Sequence, residues 1–360
     1  MLLKEIIEFK NGKKKPSSKG SIPIYGGNGI LGYTDQSNQN GESLIIGRVG
    51  AYCGCVYSHY GQCWVSDNAI VGKVNDGNDF YYCYYLLKRL NLNSRHVGSG
   101  QPLMTQEILN NIEINICDYE TQRKVGKILK NIDDKIKINS EINNNLHELC
   151  NNLYYELIEQ LDEKNSSVYE IKDIAKCVLG GTPSRAKKEY WKGNINWINS
   201  GEVNKFRIIE ASEKITELGL NKTSTTLLPK ETTVLAITGA TLGQVSRLEI
   251  EACTNQSVIG IVPNNKMLNN YLYFSIINNI KDIILKQTGG AQQHINKNDV
   301  EAHKLVIPND YLINDFDLKV SSLLKKISSN CFENKSLSQL RDTLLPKLMN
   351  GEIDLDNIEI

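Results

Sequence analysis

Apolar and polar residues alternate in two distant places, Ile112-x-Ile114-x-Ile116 and His303-x-Leu305-x-Ile307, each ended by a break at Cys117 or Pro308. Period-two spacing predicts a closing strand in each. The period then lengthens. Val125, Leu129, Ile132 and Ile136 recur at intervals of four, three and four, and Phe316, Val320, Leu323 and Ile327 repeat those intervals. This predicts two long helices with a heptad-like seam. Further along, Leu146, Leu149, Leu153 and Leu157 are matched by Leu337, Leu340, Leu344 and Leu348. A helix of about 40 residues would be about 60 Å long. Between the apolar blocks the seam positions are Asn139 and Asn143 in one helix and Asn330 and Asn334 in the other. They are either buried amides that fix register at a cost in stability or solvated surface positions. Pro346 predicts a kink or stop in the last turn, and Gly351 a C-terminal stop.

These matches belong to a duplication. Residues 98–157 align without a gap on residues 289–348, a constant offset of 191 that sets Gly98 on Gly289 and Gln101 on Gln292. Earlier segments repeat more loosely. Gly50-Ala-Tyr-Cys-Gly54-Cys-Val56 resembles Gly239-Ala-Thr-Leu-Gly243-Gln-Val245, and Ser66–Gly72 resembles Thr254–Gly260. The expected fold class is α+β: two strand-rich domains, each followed by a long helix, the helices packed antiparallel as a coiled coil about a pseudo-twofold axis. The expected boundaries are a first domain at 1–117, a spacer helix at 118–162, a second domain at 163–308, a second helix at 309–350 and an acidic tail at 351–360.

Candidate chemistry changes this picture little. Tyr25-Gly-Gly-Asn-Gly-Ile-Leu-Gly-Tyr33 holds Gly27, Gly29 and Gly32 at the spacing of a dinucleotide-binding turn. Residues 21–25 read as a strand entering it, but no helical repeat follows, so a tight glycine loop is expected in place of a nucleotide site. Cys53, Cys55, His59 and Cys63 offer four zinc-ligand types without paired knuckle spacing. In the second copy Leu242 and Gln244 replace Cys53 and Cys55, as a packing role would predict. Nine scattered cysteines suit a reducing compartment, and no run is long and apolar enough for a membrane span. A cytoplasmic location without membrane contact is the expectation. The 41 basic residues cancel the 41 acidic ones, so an anionic partner must be held by local patches. One lies in residues 1–20, the other around Arg185, Lys187, Lys188 and Lys192. There is no P-loop, no Asn/Asp-Pro-Pro-aromatic motif and no H-E-x-x-H, and His59, His96, His147, His294 and His303 show no metal-ligand spacing among themselves. Neither a metal nor a catalytic residue is expected on this chain.

Two similar domains spaced by a rod suit a ligand with two half-sites, and duplex DNA is the obvious one. At this point particular residues carry a resemblance. The run from Tyr119 through Glu120-Thr-Gln122, Val125, Leu129 and Ile132-Asp133 to Ile136 resembles the start of the spacer helix in type I restriction-modification specificity subunits. IPIYGGNGILGY, WVSDNAIV, GGTPSR with WINSGEV, and LRDTLLPKLMNGEI are similar to further segments of that family. The resemblance implies two target recognition domains, no catalysis on this chain and recognition of a bipartite site in double-stranded DNA. It also implies two methyltransferase partners that bind S-adenosylmethionine and methylate adenine N6, and restriction subunits that use ATP and Mg. The second helix departs from the pattern, with Asn309-Asp-Tyr-Leu-Ile in place of Glu-x-Gln. The competing readings are a coiled-coil scaffold and a nucleotide-binding enzyme using Gly27, Gly29 and Gly32.

Phosphates call for Lys and Arg, and base edges for Arg, Asn, Gln, Ser or Thr. In the first domain Lys13, Lys14 and Lys15 are candidates for phosphate, with Asn28, Arg48 and Tyr52 near bases. In the second, Arg185, Lys187 and Lys188 would grip phosphate, and Ser200, Glu202, Thr238 and Thr241 would read bases. Gln292, Gln293 and His294 follow a glycine pair in a loop, and Gln suits adenine. Trp191 is the candidate for an exposed aromatic beside phosphate, whereas Trp64 and Trp197 are expected in cores. Each lysine could equally be a solvated surface charge. The leucine stripes should be shared between the helix pair and the methyltransferase partners, mostly as core.

Overall fold

The computed structural model describes residues 1–98, 100–285 and 294–355. It divides into two compact units, Met1–Lys137 with Lys335–Ile360, and Ile138–Asn334.

In the first unit, β1 (Ile7–Asn11), β2 (Ile22–Gly26), β3 (Gly29–Thr34), β4 (Ser43–Gly47), β5 (Val56–His59), β6 (Trp64–Val65) and β7 (Ala69–Val74) precede α1 (Phe80–Arg89) and α2 (Gln106–Asn110). The strands form a four-stranded antiparallel sheet of order β1-β7-β4-β5 and a three-stranded sheet of order β3-β2-β6. Strand β4 is buried throughout, because it is covered on both faces. Leu44 and Ile46 point into a core shared with α1, while Ile45 joins Tyr25 and Val65 from the smaller sheet and Cys63 just before β6.

The second unit repeats this topology. Its elements are β8 (Ser166–Glu170), α4 (Ile171–Ile174), β9 (Ala175–Leu179), β10 (Trp191–Ile198), β11 (Glu213–Ile215), α5 (Glu217–Asn221), β12 (Thr233–Ala236), β13 (Val245–Arg247), β14 (Cys253–Thr254), β15 (Val258–Pro263), α6 (Asn269–Ile284), α7 (Lys297–Glu301) and β16 (Lys304–Pro308). The sheets run β13-β12-β15-β9 and β11-β10-β14, the same orders as before. Register corrects one alignment. Gly47 pairs with Ala69 as Ala236 pairs with Val258, so Ser66 corresponds to Asn255 and not to Thr254. Side-chain similarity had slid the match by one, which hydrogen bonding forbids because a one-residue slip turns every side chain to the other face.

The expected closing strands differ. β16 pairs with β8 over five residues. In the first unit, Ile112–Ile116 is not a strand; it bridges Met1–Leu3, through Leu3 N to Ile112 O and Ile114 N to Met1 O. The alternation is still felt, for Ile112 and Ile114 are buried.

The long helices are α3 (Tyr119–Glu159) and α8 (Asp310–Met349). Asp118 caps α3, accepting from Thr121 N at 3.0 Å. Gln122 is buried; its amide accepts from Asp79 N at 2.9 Å and donates to Cys117 O at 2.9 Å, which ties the start of α3 to the loop before α1. At the repeat position of Gln122 the second unit has Ile313, buried in an apolar core. Pro346 does not stop α8, which runs on to Met349. Gly351 does: at φ +69° it donates to Leu348 O while Glu352 N donates to Lys347 O, the paired bonds of a Schellman cap.

The seam is partly as expected. Val125, Leu129, Leu157, Phe316, Val320, Ile327 and Leu348 are buried, and Ile132, Ile136, Leu146, Leu153, Leu323, Leu337 and Leu344 are half-buried. Two of the leucines stand outside the seam. Leu149 and Leu340, equivalent in the repeat, are 46% and 47% exposed. Cys150 is buried beside Leu149, and Leu324 is buried where Leu323 was expected. The asparagine question is decided within the second unit, where Asn139, Asn143 and Asn330 are buried and Asn334 is half-buried. Asn330 donates to Asn143 at 2.9 Å and Asn139 to Asn334 at 2.9 Å. Each amide thus meets the repeat-equivalent of its own neighbour, which an antiparallel pair of duplicated helices requires.

Candidate nucleic-acid interface

In the first unit, the glycine turn is a hairpin. Gly26 pairs with Gly29 and leaves Gly27 and Asn28 as its two-residue tip, with Gly29 at φ +77°. β3 leaves it in place of a helix, so nothing presents helix N–H groups to a pyrophosphate. Asn28 is exposed. A Cβ on Gly27 would lie 3.7 Å from Val49 O, so the tip sits beside the loop that follows β4.

That loop has the same backbone in both units. Val49 and Thr238 are extended before a short 3-10 turn, and glycines at positive φ flank it: Gly50 and Gly54 in one, Gly239 and Gly243 in the other. Each loop is bridged by a later one. Val49 bridges Leu103, and Thr238 bridges His294. Leu103, in the segment after α1, is thereby brought beside the loop that carries Arg48 and Tyr52, and His294 beside the loop that carries Thr238 and Thr241. Arg48 is half-buried and donates to Asp67 O at 3.2 Å, while Tyr52 is exposed. Thr238 and Thr241 are half-buried, and Thr241 Oγ1 donates to Thr238 O at 3.1 Å. His294 is exposed. Gln292 and Gln293 lie outside the described residues.

The two basic segments are also equivalent. Gly12 N bonds Ala69 O and Lys13 N bonds Val65 O; likewise Gly180 N bonds Val258 O and Gly181 N bonds Thr254 O. A Cβ would fall 2.0 Å from Ser66 O at Gly12 and 2.2 Å from Asn255 O at Gly180, so only glycine lets the chain cross there. Lys13, Lys14 and Lys15 are exposed. In the second unit Arg185 is engaged: it makes a bidentate pair with Glu213 at 2.6 and 2.7 Å and lies 3.7 Å from the Trp191 ring centroid. That hydrogen bonding raises the Arg185 pKa and lowers that of Glu213. Lys187 donates to Tyr190 Oη at 3.1 Å, and Lys188 is exposed. Trp191 is half-buried, with Nε1 donating to Ser184 O at 3.2 Å.

Glu202 differs from the other candidates. It is 7% exposed, and its carboxylate accepts from Asn199 N, Ser212 N and Ser212 Oγ. Its oxygens are used inside the domain, where they hold the Ser200–Asn204 turn. Half-buried Ser200 opens that turn, which packs against the Gly239–Thr241 turn. Trp197 is buried, whereas Trp64 is only half-buried and donates to Lys13 O at 3.3 Å. The four-residue cysteine cluster is dispersed: Cys53 and Cys63 belong to different cores, and both His59 nitrogens are engaged, by Tyr25 Oη and Gln62 O. Sequence reasoning missed Glu213 and Gln256, which meets Thr182 Oγ1. Each lies far along the chain from its partner, and no local signal marks either.

A family model described as Type I restriction modification DNA specificity domain matches residues 1–148 and 163–338. The chain is 24% identical over 330 residues to the Type I restriction enzyme HindI specificity subunit of Haemophilus influenzae, covering 70% of this chain and 71% of that one. It is 23% identical over 311 residues to the MjaIX specificity subunit of Methanocaldococcus jannaschii, with 79% and 71% covered. Among solved structures, the S subunit of a type I restriction-modification system from M. genitalium matches with a TM-score of 0.67 at 17% identity, covering 97% of this chain and 95% of that one. That likeness is one of fold.

Proposed function

Since the chain belongs to the type I restriction-modification DNA specificity family, we propose that each of its strand-rich domains reads one half of a bipartite site in duplex DNA. It is a specificity subunit that serves DNA sequence recognition and is not itself an enzyme. One observation carries the bipartite reading: two domains share one topology and one loop frame, yet differ in what the frame presents. Where the first offers Lys13, Arg48 and Tyr52, the second offers Gly181, Ile237 and Thr241 at the positions fixed by register. Equal frames with unequal side chains suit unequal half-sites.

The exposed pair Leu149 and Leu340 supports two docking sites for methyltransferase partners, because repeat-equivalent leucines share the same exposure. Those partners supply S-adenosylmethionine and adenine N6 methylation, and restriction subunits supply ATP and Mg chemistry. Methylome sequencing of a host carrying this chain and its methyltransferase tests the reading. A bipartite methylated motif is expected, with one half changing when residues 47–54 are exchanged for those of a relative. Methylation by the purified chain alone, or a motif with a single uninterrupted core, would refute it.

A further inference from the structure

The β2–β3 hairpin carries a second kind of surface. Three large side chains on β3 face water: Ile30 is 48%, Leu31 43% and Tyr33 55% exposed. β3 is the outer strand of its sheet. Leu31 is an extra residue in the ladder, since Ile24 faces Gly32 while Tyr25 faces Ile30. Its side chain lies over β2 at Gly26, where a Cβ would come within 2.3 Å of Leu31 Cδ1. Backbone geometry therefore holds these residues in place; they are not on a loose loop.

Their surroundings point to the partner. The hairpin tip adjoins the loop after β4, so the apolar patch continues the candidate interface. The basic segment runs alongside it: Lys13 bridges Ser66, Lys15 Nζ comes within 3.9 Å of the position a Cβ would take on Gly32, and Ser18 Oγ is 2.9 Å from Thr34 Oγ1. Lys13, Lys14, Lys15 and Lys19 are all exposed. An apolar strand rimmed by cations fits a duplex, with phosphates on the lysines and a base step against the aliphatic groups. The equivalent outer strand of the second domain, β11, carries no such patch, for it offers Glu213, Lys214 and a buried Ile215.

We propose that Ile30 and Leu31 form a wedge that enters a base step of the half-site bound by the first domain, partly unstacking it and bending the duplex. The proposal rests on the DNA-recognition reading above. The test uses the complex of the full chain with its methyltransferase and a duplex bearing the methylome-defined site, with 2-aminopurine placed at each step in turn. Binding should raise fluorescence several-fold at one step in the first domain's half-site. The variant Ile30→Ser with Leu31→Ser should lose that signal and bind about tenfold more weakly, with an unchanged salt slope because no charge is altered. Lys15→Gln should keep the signal and reduce the slope by about 0.9. A wild-type complex that binds its site without enhancement, or a double variant that retains it, overturns the wedge. Loss of the methyltransferase from the double variant on gel filtration overturns it too, by assigning the patch to protein. If the wild-type complex shows no sequence-specific binding, the recognition reading itself fails.

Discussion

Alanine in place of glycine normally strengthens a helix, by about 1 kcal/mol; at Gly126 the sign should reverse. Gly126 lies in α3 where the N-terminus of α1 abuts it. A Cβ there would be 2.3 Å from Asp79 Oδ1 and 2.9 Å from Tyr82 N. Asp79 is the N-cap of α1, accepting from Tyr82 N at 2.8 Å. To admit the methyl group, the carboxylate must swing away and lose a cap worth about 1 kcal/mol. The backbone of α1 must also shift by a few tenths of an ångström, an overpacking cost of about 1–3 kcal/mol. Against the propensity gain of about 1 kcal/mol, Gly126→Ala should destabilise the first unit by about 1–3 kcal/mol, or lower its melting temperature by roughly 2–12 °C. Calorimetry of wild type, Gly126→Ala and the exposed control Asn131→Ala measures this, with the control expected to gain slightly. Because the two residues meet, Asp79→Ala combined with Gly126→Ala should cost less than the sum of the single changes. A Gly126→Ala protein as stable as wild type would show that α1 does not approach α3 as described.

Three further outcomes follow from other contacts. Burial and the nearby Arg207 charge push the His147 pKa down from 6.5 to about 4. Folding therefore favours the neutral ring, and that stability, present above pH 6.5, is lost as pH falls toward 4. Between pH 7 and pH 5 wild type should lose about 2 kcal/mol that His147→Leu does not, read by urea denaturation at each pH. If the two lose stability in parallel, the assignment is wrong. Asn143→Leu alone should cost about 1–3 kcal/mol by stranding the Asn330 amide, whereas Asn143→Leu with Asn330→Leu should be neutral or stabilising; equal losses in thermal melts would contradict this. Glu213→Gln releases Arg185 from its bidentate pair. If Arg185 then meets phosphate, salt titration of DNA binding should show a slope steeper by about 0.9, and an unchanged slope would remove Arg185 from the interface.

The readable parts of the fold were those that repeat. A duplication doubles each pattern, so the long helices, their apolar spacing and the paired glycine loops stood out in the chain itself. The same help was missing where a residue's partner lies far away. Nothing local to Glu202 distinguishes it from Ser200 or Thr241, yet its carboxylate is consumed by Asn199 and Ser212. Arg185 reads as a free phosphate grip until Glu213 is placed beside it.

Sequence by itself determined the two copies, their α+β composition, the two long helices and the glycine-marked turns, because these depend on local periodicity and on backbone angles that few residues tolerate. Tertiary structure alone decided which apolar positions of a helix face a neighbour. Leu149 and Cys150 are adjacent in the chain, yet one is exposed and the other buried, since the packed helix and sheet surfaces leave room for only one. It also decided that Asn139, Asn143 and Asn330 are core residues and that Ile30 and Leu31 are surface ones. Hydrophobicity states a preference for burial, but the surrounding chain has to supply the covering surface, and that surface is assembled only on folding.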